Sequence, residues 1–512
     1  MLLLLNSLIK VGRSKPMELM QSSKVGERIP KRNWIFGAVG ALLLGAAYYL
    51  AASIEEPLAA LAIFFVAVIM VIIGTYLVFI SGSVVFCKLL QKNKKYYYKP
   101  NHFVSVSSMV YRMKRNGAGL ASICILLTMV LVMISSTTSL YFGEEDSLKN
   151  RCPNDINITM TFDTIEGISD ALLDVLRDDI RQHSGEGVNL KGVRACEIPG
   201  LITQEGITID TSSHLNFSAS TYNNVGYLSV LSIDDYNNMM GTSETLADDE
   251  CLVYCDRLEY QWDTFTMEYG ETYKVKAQLD DFQVDGDTAA LITPTVFLVV
   301  NDIYAFSEPV KDMKNSHGDP MMMYDWRCGF DVETAEIENK ISTDLNEMFR
   351  NMYIENNDAF YSFSVQSREA MREAFYDVYG SLFFLGIMLS IVFLLAAVLI
   401  IYYKQISEGY EDHGRFEIMQ KVGMTKKDIR KSINSQMLTV FFMPLIFAGI
   451  HLVFAFPFLS KILVLFAMDN IVLTAIVNLI CFAVFGLFYA LVYKITSSSY
   501  YAIVSGRKEQ RV

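Results

Sequence analysis

The stretch SLFFLGIMLSIVFLLAAVLIIYY, residues 381–403, carries no charged residue and no proline. As a helix rising about 1.5 Å per residue it reaches about 35 Å, enough to cross the roughly 30 Å hydrocarbon core of a bilayer. A core helix of a water-soluble protein would show a polar stripe at helical spacing, and this run has none. Five further runs of the same character read as full spans, at Trp34 to Ala52, Pro57 to Phe86, Gly117 to Phe142, Met437 to Leu459 and Asn470 to Tyr493. The opening Met1 to Ile9 is apolar but too short to cross, and it lacks the basic front and small-residue cleavage site of a signal peptide. It reads as the tail of a span cut short. The sequence therefore predicts a polytopic α-helical membrane protein with six or seven spans, in keeping with 52% hydrophobic and only 19% charged residues in 512.

Basic residues in short loops stay on the cytoplasmic side during insertion. Lys10 to Asn33 carries seven of them, Lys88 to Asn116 carries eight with no acid, and the tail after Tyr493 holds Lys494, Arg507, Lys508 and Arg511. These three segments are expected inside. The Ser53 to Glu56 turn, the connection near Lys461 to Asp469 and the long segment Gly143 to Tyr379 then fall outside.

That long segment holds 45 of the 56 acidic residues against 16 Lys and Arg, a net charge of −29, while the rest of the chain is +16. Nucleic acid is excluded as a partner on charge, and a cationic ligand is favoured, although acidity also simply keeps an exposed domain soluble. Its residue pattern mixes two periods. Ile168, Leu172, Leu176 and Ile180, and again Ile337, Ile341, Leu345 and Met348, recur at helical spacing. Gly226 to Ile233, Cys251 to Tyr254, Tyr273 to Gln278 and Ala290 to Val300 read as strands. One large extracellular α+β domain is expected. Ser367 is placed as an N-cap, and nothing breaks a helix from Arg368 to Tyr403, so about four turns would stand clear of the bilayer as a stalk.

No catalytic constellation is visible. His183, His214 and His317 are isolated, and neither H-E-x-x-H, G-x-S-x-G nor the P-loop pattern occurs. The five cysteines Cys152, Cys196, Cys251, Cys255 and Cys328 are an odd number, so at least one is unpaired, and the Cys251 and Cys255 spacing is not that of a zinc site. Neither an enzyme, a metal nor a cofactor is called for.

The loop Lys404 to Gln436 is the most informative polar stretch. Phe416, Ile418, Met419 and Val422 can line one side of a short helix whose other side shows Arg415, Glu417, Gln420 and Lys421. Gly423 permits a turn, and Thr425 is placed to cap a second helix that Ile429, Ile433 and Met437 lead into the next span. Pattern alone leaves two readings open, an amphipathic hairpin in the headgroups and a docking element for a partner. In the following span His451 is an ionisable group at mid-bilayer, by default a functional hypothesis, with a neutral hydrogen-bonded imidazole as the alternative. Pro444 and Pro457 are expected to bend that helix.

The run Phe416-Glu-Ile-Met-Gln-Lys-Val-Gly-Met-Thr-Lys-Lys-Asp-Ile-Arg-Lys-Ser-Ile433 resembles the cytoplasmic coupling segment of FtsX-like ABC-transporter permeases. Val104-Ser-Val-Ser-Ser-Met-Val-Tyr-Arg-Met-Lys-Arg115, Gly449-Ile-His-Leu-Val-Phe-Ala-Phe-Pro457 and Tyr500-Tyr-Ala-Ile-Val504 resemble the bacitracin-export (Bce-type) permeases of Gram-positive bacteria. The resemblance implies a permease subunit working with a separate cytoplasmic ABC ATPase, with Phe416, Glu417, Met419, Val422, Gly423 and Thr425 as the ATPase-coupling residues. It also implies that the outer domain engages a cationic peptide antibiotic or a lipid-linked cell-wall precursor. The family pattern has ten spans with the large domain between the seventh and eighth. Measured against it, the expected organisation is 1–33 the end of a truncated span and a cytoplasmic loop, 34–142 three spans, 143–380 the extracellular domain with its stalk, 381–403 a span, 404–436 the coupling segment, 437–494 two spans and 495–512 a cytoplasmic tail. Most of the first four spans are expected to be missing. Two rival readings remain, a non-transporting sensor or scaffold serving a membrane histidine kinase and a truncated remnant.

Overall fold

The computed structural model describes residues 33–54, 57–82, 91–92, 94–98, 100–185, 190–209, 225–256, 260–280, 282, 294–315, 318–355, 360–421, 423, 425–466, 468 and 470–504. Six helices among them are long and apolar enough to cross a membrane. Helix α1 is Asn33–Ser53, α2 is Pro57–Leu77 and ends in a π-turn at Val78–Gly82, and α3 is Pro100–Phe142. Gly40 and Gly74 let α1 and α2 approach backbone to backbone, for a Cβ on Gly40 would sit 2.7 Å from Leu77 Cβ and one on Gly74 2.8 Å from Leu44 Cγ. The bundle core gathers Leu127, Leu131, Ala397, Ile401, Phe441, Ala448 and Tyr489. Its outer surface leaves Leu42, Leu479 and Leu487 at least 70% exposed, which suits lipid rather than water.

After α3 comes the short helix α4 (Glu144–Arg151) and then the sheet domain. Its strands are β1 Ile156–Phe162, β2 Lys191–Thr203, β3 Gly206–Thr208, β4 Val225–Ser232, β5 Glu250–Asp256, β6 Thr264–Met267, β7 Thr272–Gln278, β8 Thr295–Val300, β9 Met323–Phe330 and β10 Ser362–Ser367. They lie in the order β10-β1-β9-β2-β3-β6-β7-β5-β8-β4, and β4 also pairs with β2. Helices α5 (Asp170–Ser184), α6 (Ile233–Met240), α7 (Ile303–Ser307) and α8 (Ala335–Glu355) complete the α+β domain. The core joins Leu173, Leu176 and Ile180 of α5 and Ile341, Leu345 and Phe349 of α8 to Ile158, Met160, Tyr324 and Trp326 of the sheet. Cys196, Cys251 and Cys328 are buried free thiols. His214 and His317 lie outside the described residues, as does Cys87.

Three long helices then follow, α9 (Arg368–Lys421), α10 (Lys426–Val464) and α11 (Ile471–Val504). Two expectations are corrected here. The polar residues 404–421 do not form a separate short helix. They continue α9, which as one helix of 54 residues reaches about 81 Å. Likewise, much of the basic stretch expected as a loop before Gly117 is the first part of α3, which begins at Pro100. In both cases the change from apolar to charged composition marks where a helix would leave the hydrocarbon, not where it ends.

Candidate functional site

The turn between α9 and α10 is built on Gly423, whose φ of +106° is a conformation that side chains resist. Among the described residues no atom lies within 4 Å of where its Cβ would be, so the backbone conformation is what calls for glycine. Thr425 directly precedes the first residue of α10 and is exposed. On the closing turn of α9 Phe416 is only 4% exposed and packs into the bundle core with Ile433 and Met437, whereas Ile418 is 63% exposed. The two residues therefore occupy different faces, not the shared face expected from sequence. Phe416 anchors the elbow from inside, and the solvent face presents Glu417, Ile418, Gln420 and Lys421. Lys421 Nζ donates to Glu417 Oε1 at 2.9 Å, which holds the Glu417 carboxyl below its ordinary range. The Met419 side chain and Val422 lie outside what the structure describes. This surface offers an exposed apolar residue among charges. Among the described residues no His, Cys, Asp and Glu group could hold a metal ion.

His451 is 3% exposed and joins three helices. Tyr48 Oη of α1 lies 2.6 Å from its Nδ1, and Thr75 Oγ1 of α2 lies 3.1 Å from its Nε2. Thr75 spends its proton on Val71 O at 2.6 Å, so its oxygen accepts from Nε2–H, and Nδ1 accepts from the Tyr48 hydroxyl. The imidazole is thereby satisfied in its neutral form, and Tyr48 stacks on Phe454 with ring centroids 4.1 Å apart. The geometry is that of a structural tie between helices.

The opposite end of α9 shows a junction that sequence reading identified only in part. The last residue of β10, Ser367, is also the N-cap of α9, with Ala370 N donating to its Oγ at 3.1 Å. Glu338 of α8 accepts from the Ser367 hydroxyl at 2.6 Å and from Glu369 N at 2.7 Å. Arg368 then fastens the start of α9 to the segment that enters the sheet domain. It donates to Cys152 O and to Asp155 Oδ1, both at 2.8 Å, and also to Pro153 O. Below it Arg372 pairs with Glu145 of α4 at 3.0 Å, Asn470 Nδ2 donates to Asp146 Oδ2 at 2.6 Å, and the Tyr379 hydroxyl donates to Phe466 O at 2.5 Å. The chain's way into the sheet domain and its way out are thus bolted together at one place. Nothing near Arg368 in sequence signals this, because its partners are more than 200 residues away.

Comparison with known proteins bears most directly on the C-terminal part of the chain, which holds the elbow. Residues 387–504 match the FtsX-like permease C-terminal family. This stretch is an FtsX-like permease domain. Over 97% of its length the chain is 22% identical to the uncharacterized ABC transporter permease YvcS of Bacillus subtilis (strain 168), covering 73% of that protein. It is also 22% identical to the ABC transporter permease protein YxdM of the same organism, over 76% of the chain and 57% of that protein. To the bacitracin export permease protein BceB of Halalkalibacterium halodurans it is again 22% identical, over 75% of the chain and 55% of the relative. The chain thus spans between about half and three quarters of the length of these relatives. The FtsX-like domain and the six apolar helices make it a multi-pass plasma-membrane protein. The relatives are transport proteins rather than enzymes.

Proposed function

We propose that the chain is the permease subunit of an ABC transporter, in which the elbow at Gly423 docks a separate cytoplasmic ATPase and the sheet domain, on the outer side, engages a peptide antibiotic of the bacitracin type or its lipid-linked target. The observation that carries this reading is the single helix α9, which begins on the last strand of the sheet domain and ends at the elbow without an interruption. A helix is stiff along its axis, so a displacement at Ser367 is felt about 81 Å away. Similarity to ABC transporter permeases supports an ATPase partner, and similarity to a bacitracin export permease supports the ligand class. The same helix also suits a sensor that reports to a membrane histidine kinase, and ATPase binding separates the two.

Ile418 is the residue to change, because it is exposed at the elbow and owes nothing to the bundle core. Ile418→Glu is expected to insert and fold normally, since an exposed carboxylate stays in water. At a docking interface the same charge would be buried without a partner, at a cost of several kcal/mol. The ATPase subunit co-purified with the wild-type chain should therefore be lost from the variant. No ATPase on the wild-type chain, or equal amounts on both, would contradict the docking role.

A further inference from the structure

The elbow is not left to its own glycine. The last turn of α11 lies against both of its arms. On the α9 side the Tyr500 hydroxyl donates to Asp412 Oδ2 at 2.7 Å, and both residues are buried, at 1% and 6% exposure. Tyr500 reaches this position across Gly409, where a Cβ would stand 3.2 Å from its ring. His413 Nδ1 donates to Val504 O at 3.1 Å, which satisfies one of the carbonyls that the end of a helix leaves without an intrahelical partner. On the α10 side the Arg430 guanidinium lies over the ring of the next residue, Tyr501, 5.3 Å from its centroid. Phe416, Ile433, Tyr500 and Val504 close the corner as one apolar cluster.

We propose that Tyr500 to Val504 is a positioning clamp that fixes the angle between the arms of the elbow, so that the elbow moves with α11 as a unit. Two neighbouring tyrosines grip different arms. Opening the elbow pulls Tyr501 from Arg430 or Tyr500 from Asp412, whereas general packing alone would permit either arm to slide. The inference concerns the fold of this chain and does not depend on what docks at the elbow.

Amide hydrogen exchange of the full chain in detergent tests it directly. Tyr500→Phe is expected to speed exchange across 417–430 on the order of tenfold, as the loss of a buried hydrogen bond to a carboxylate implies, with the sheet domain unchanged. Asp412→Asn keeps an acceptor oxygen without its charge, so its exchange should fall between wild type and Tyr500→Phe. Tyr489 provides the control, because its hydroxyl donates to Phe441 O at 3.0 Å in the same bundle and on the same helix. Tyr489→Phe should leave 417–430 unaffected. The clamp is overturned if Tyr500→Phe leaves that segment unchanged or if Tyr489→Phe speeds it equally. Should Tyr500→Phe fail to fold, Tyr501→Leu decides the matter through the other arm. Faster exchange confined to 425–430 supports the clamp, and wild-type exchange there overturns it.

Discussion

At the scale of single residues, the titrating group at the junction between membrane and sheet domain is Glu144. It is 4% exposed, and one of its carboxylate oxygens is buried with no hydrogen-bond partner among the described residues. Burial raises the pKa of its carboxyl, with the Tyr376 hydroxyl and the Arg372 charge offsetting part of the rise. A raised carboxyl pKa means that the folded state prefers the protonated form. Its contribution to stability is full below the ordinary carboxylate pKa and is lost as pH rises through the folded-state value. Glu144→Gln imitates the protonated form, so at pH 8 it should melt at a higher temperature than wild type, with the difference shrinking as pH falls toward 4. A lower melting temperature at pH 8 would contradict this account of Glu144. Residues with local signatures, such as the Ser367 cap and the Gly423 turn, were legible in the sequence because their geometry depends on near neighbours. Arg368, Tyr48 and Tyr500 were not, because each makes its bond to a residue far away along the chain.

Among the elements, α9 carries the functional argument. Ala374 lies on its exposed side between the sheet-domain junction and the apolar run, so proline there costs little packing. It removes one backbone hydrogen bond and crowds the preceding turn, at about 3 kcal/mol in a helix interior. Ala374→Pro is expected to reach the cell surface at wild-type levels while resistance to a bacitracin-type peptide falls severalfold. Undiminished resistance in an expressed variant would remove the coupling role from this helix. The helices and β4, β5, β7 and β8 follow plain periodicities. The alternation of β1, with Ile156, Ile158, Met160 and Phe162 all buried, was equally open to reading. Strands β2 and β9 were not. They place Arg194, Glu197, Asp325 and Arg327 within the sheet, where ion pairs between Arg327 and Glu197 and between Arg194 and Asp235 make the burial tolerable. Without those partners in view the charges interrupt the apolar pattern that marks a strand.

For the molecule as a whole, one helix ties the acidic sheet domain to the elbow, and we propose that the first lies on the outer side and the second on the inner side. The charge division of −29 against +16 argues for that placement, and the basic stretches of the chain supply its sign. A single accessible cysteine on each part tests it most directly. Ser243 in the sheet domain and Asn434 just past the elbow are both exposed, and replacing the half-buried Cys255 and Cys481 with serine reduces background labelling. On intact cells a membrane-impermeant maleimide should label Ser243→Cys and should label Asn434→Cys only after permeabilisation. Labelling of both cysteines from the same side would contradict the account.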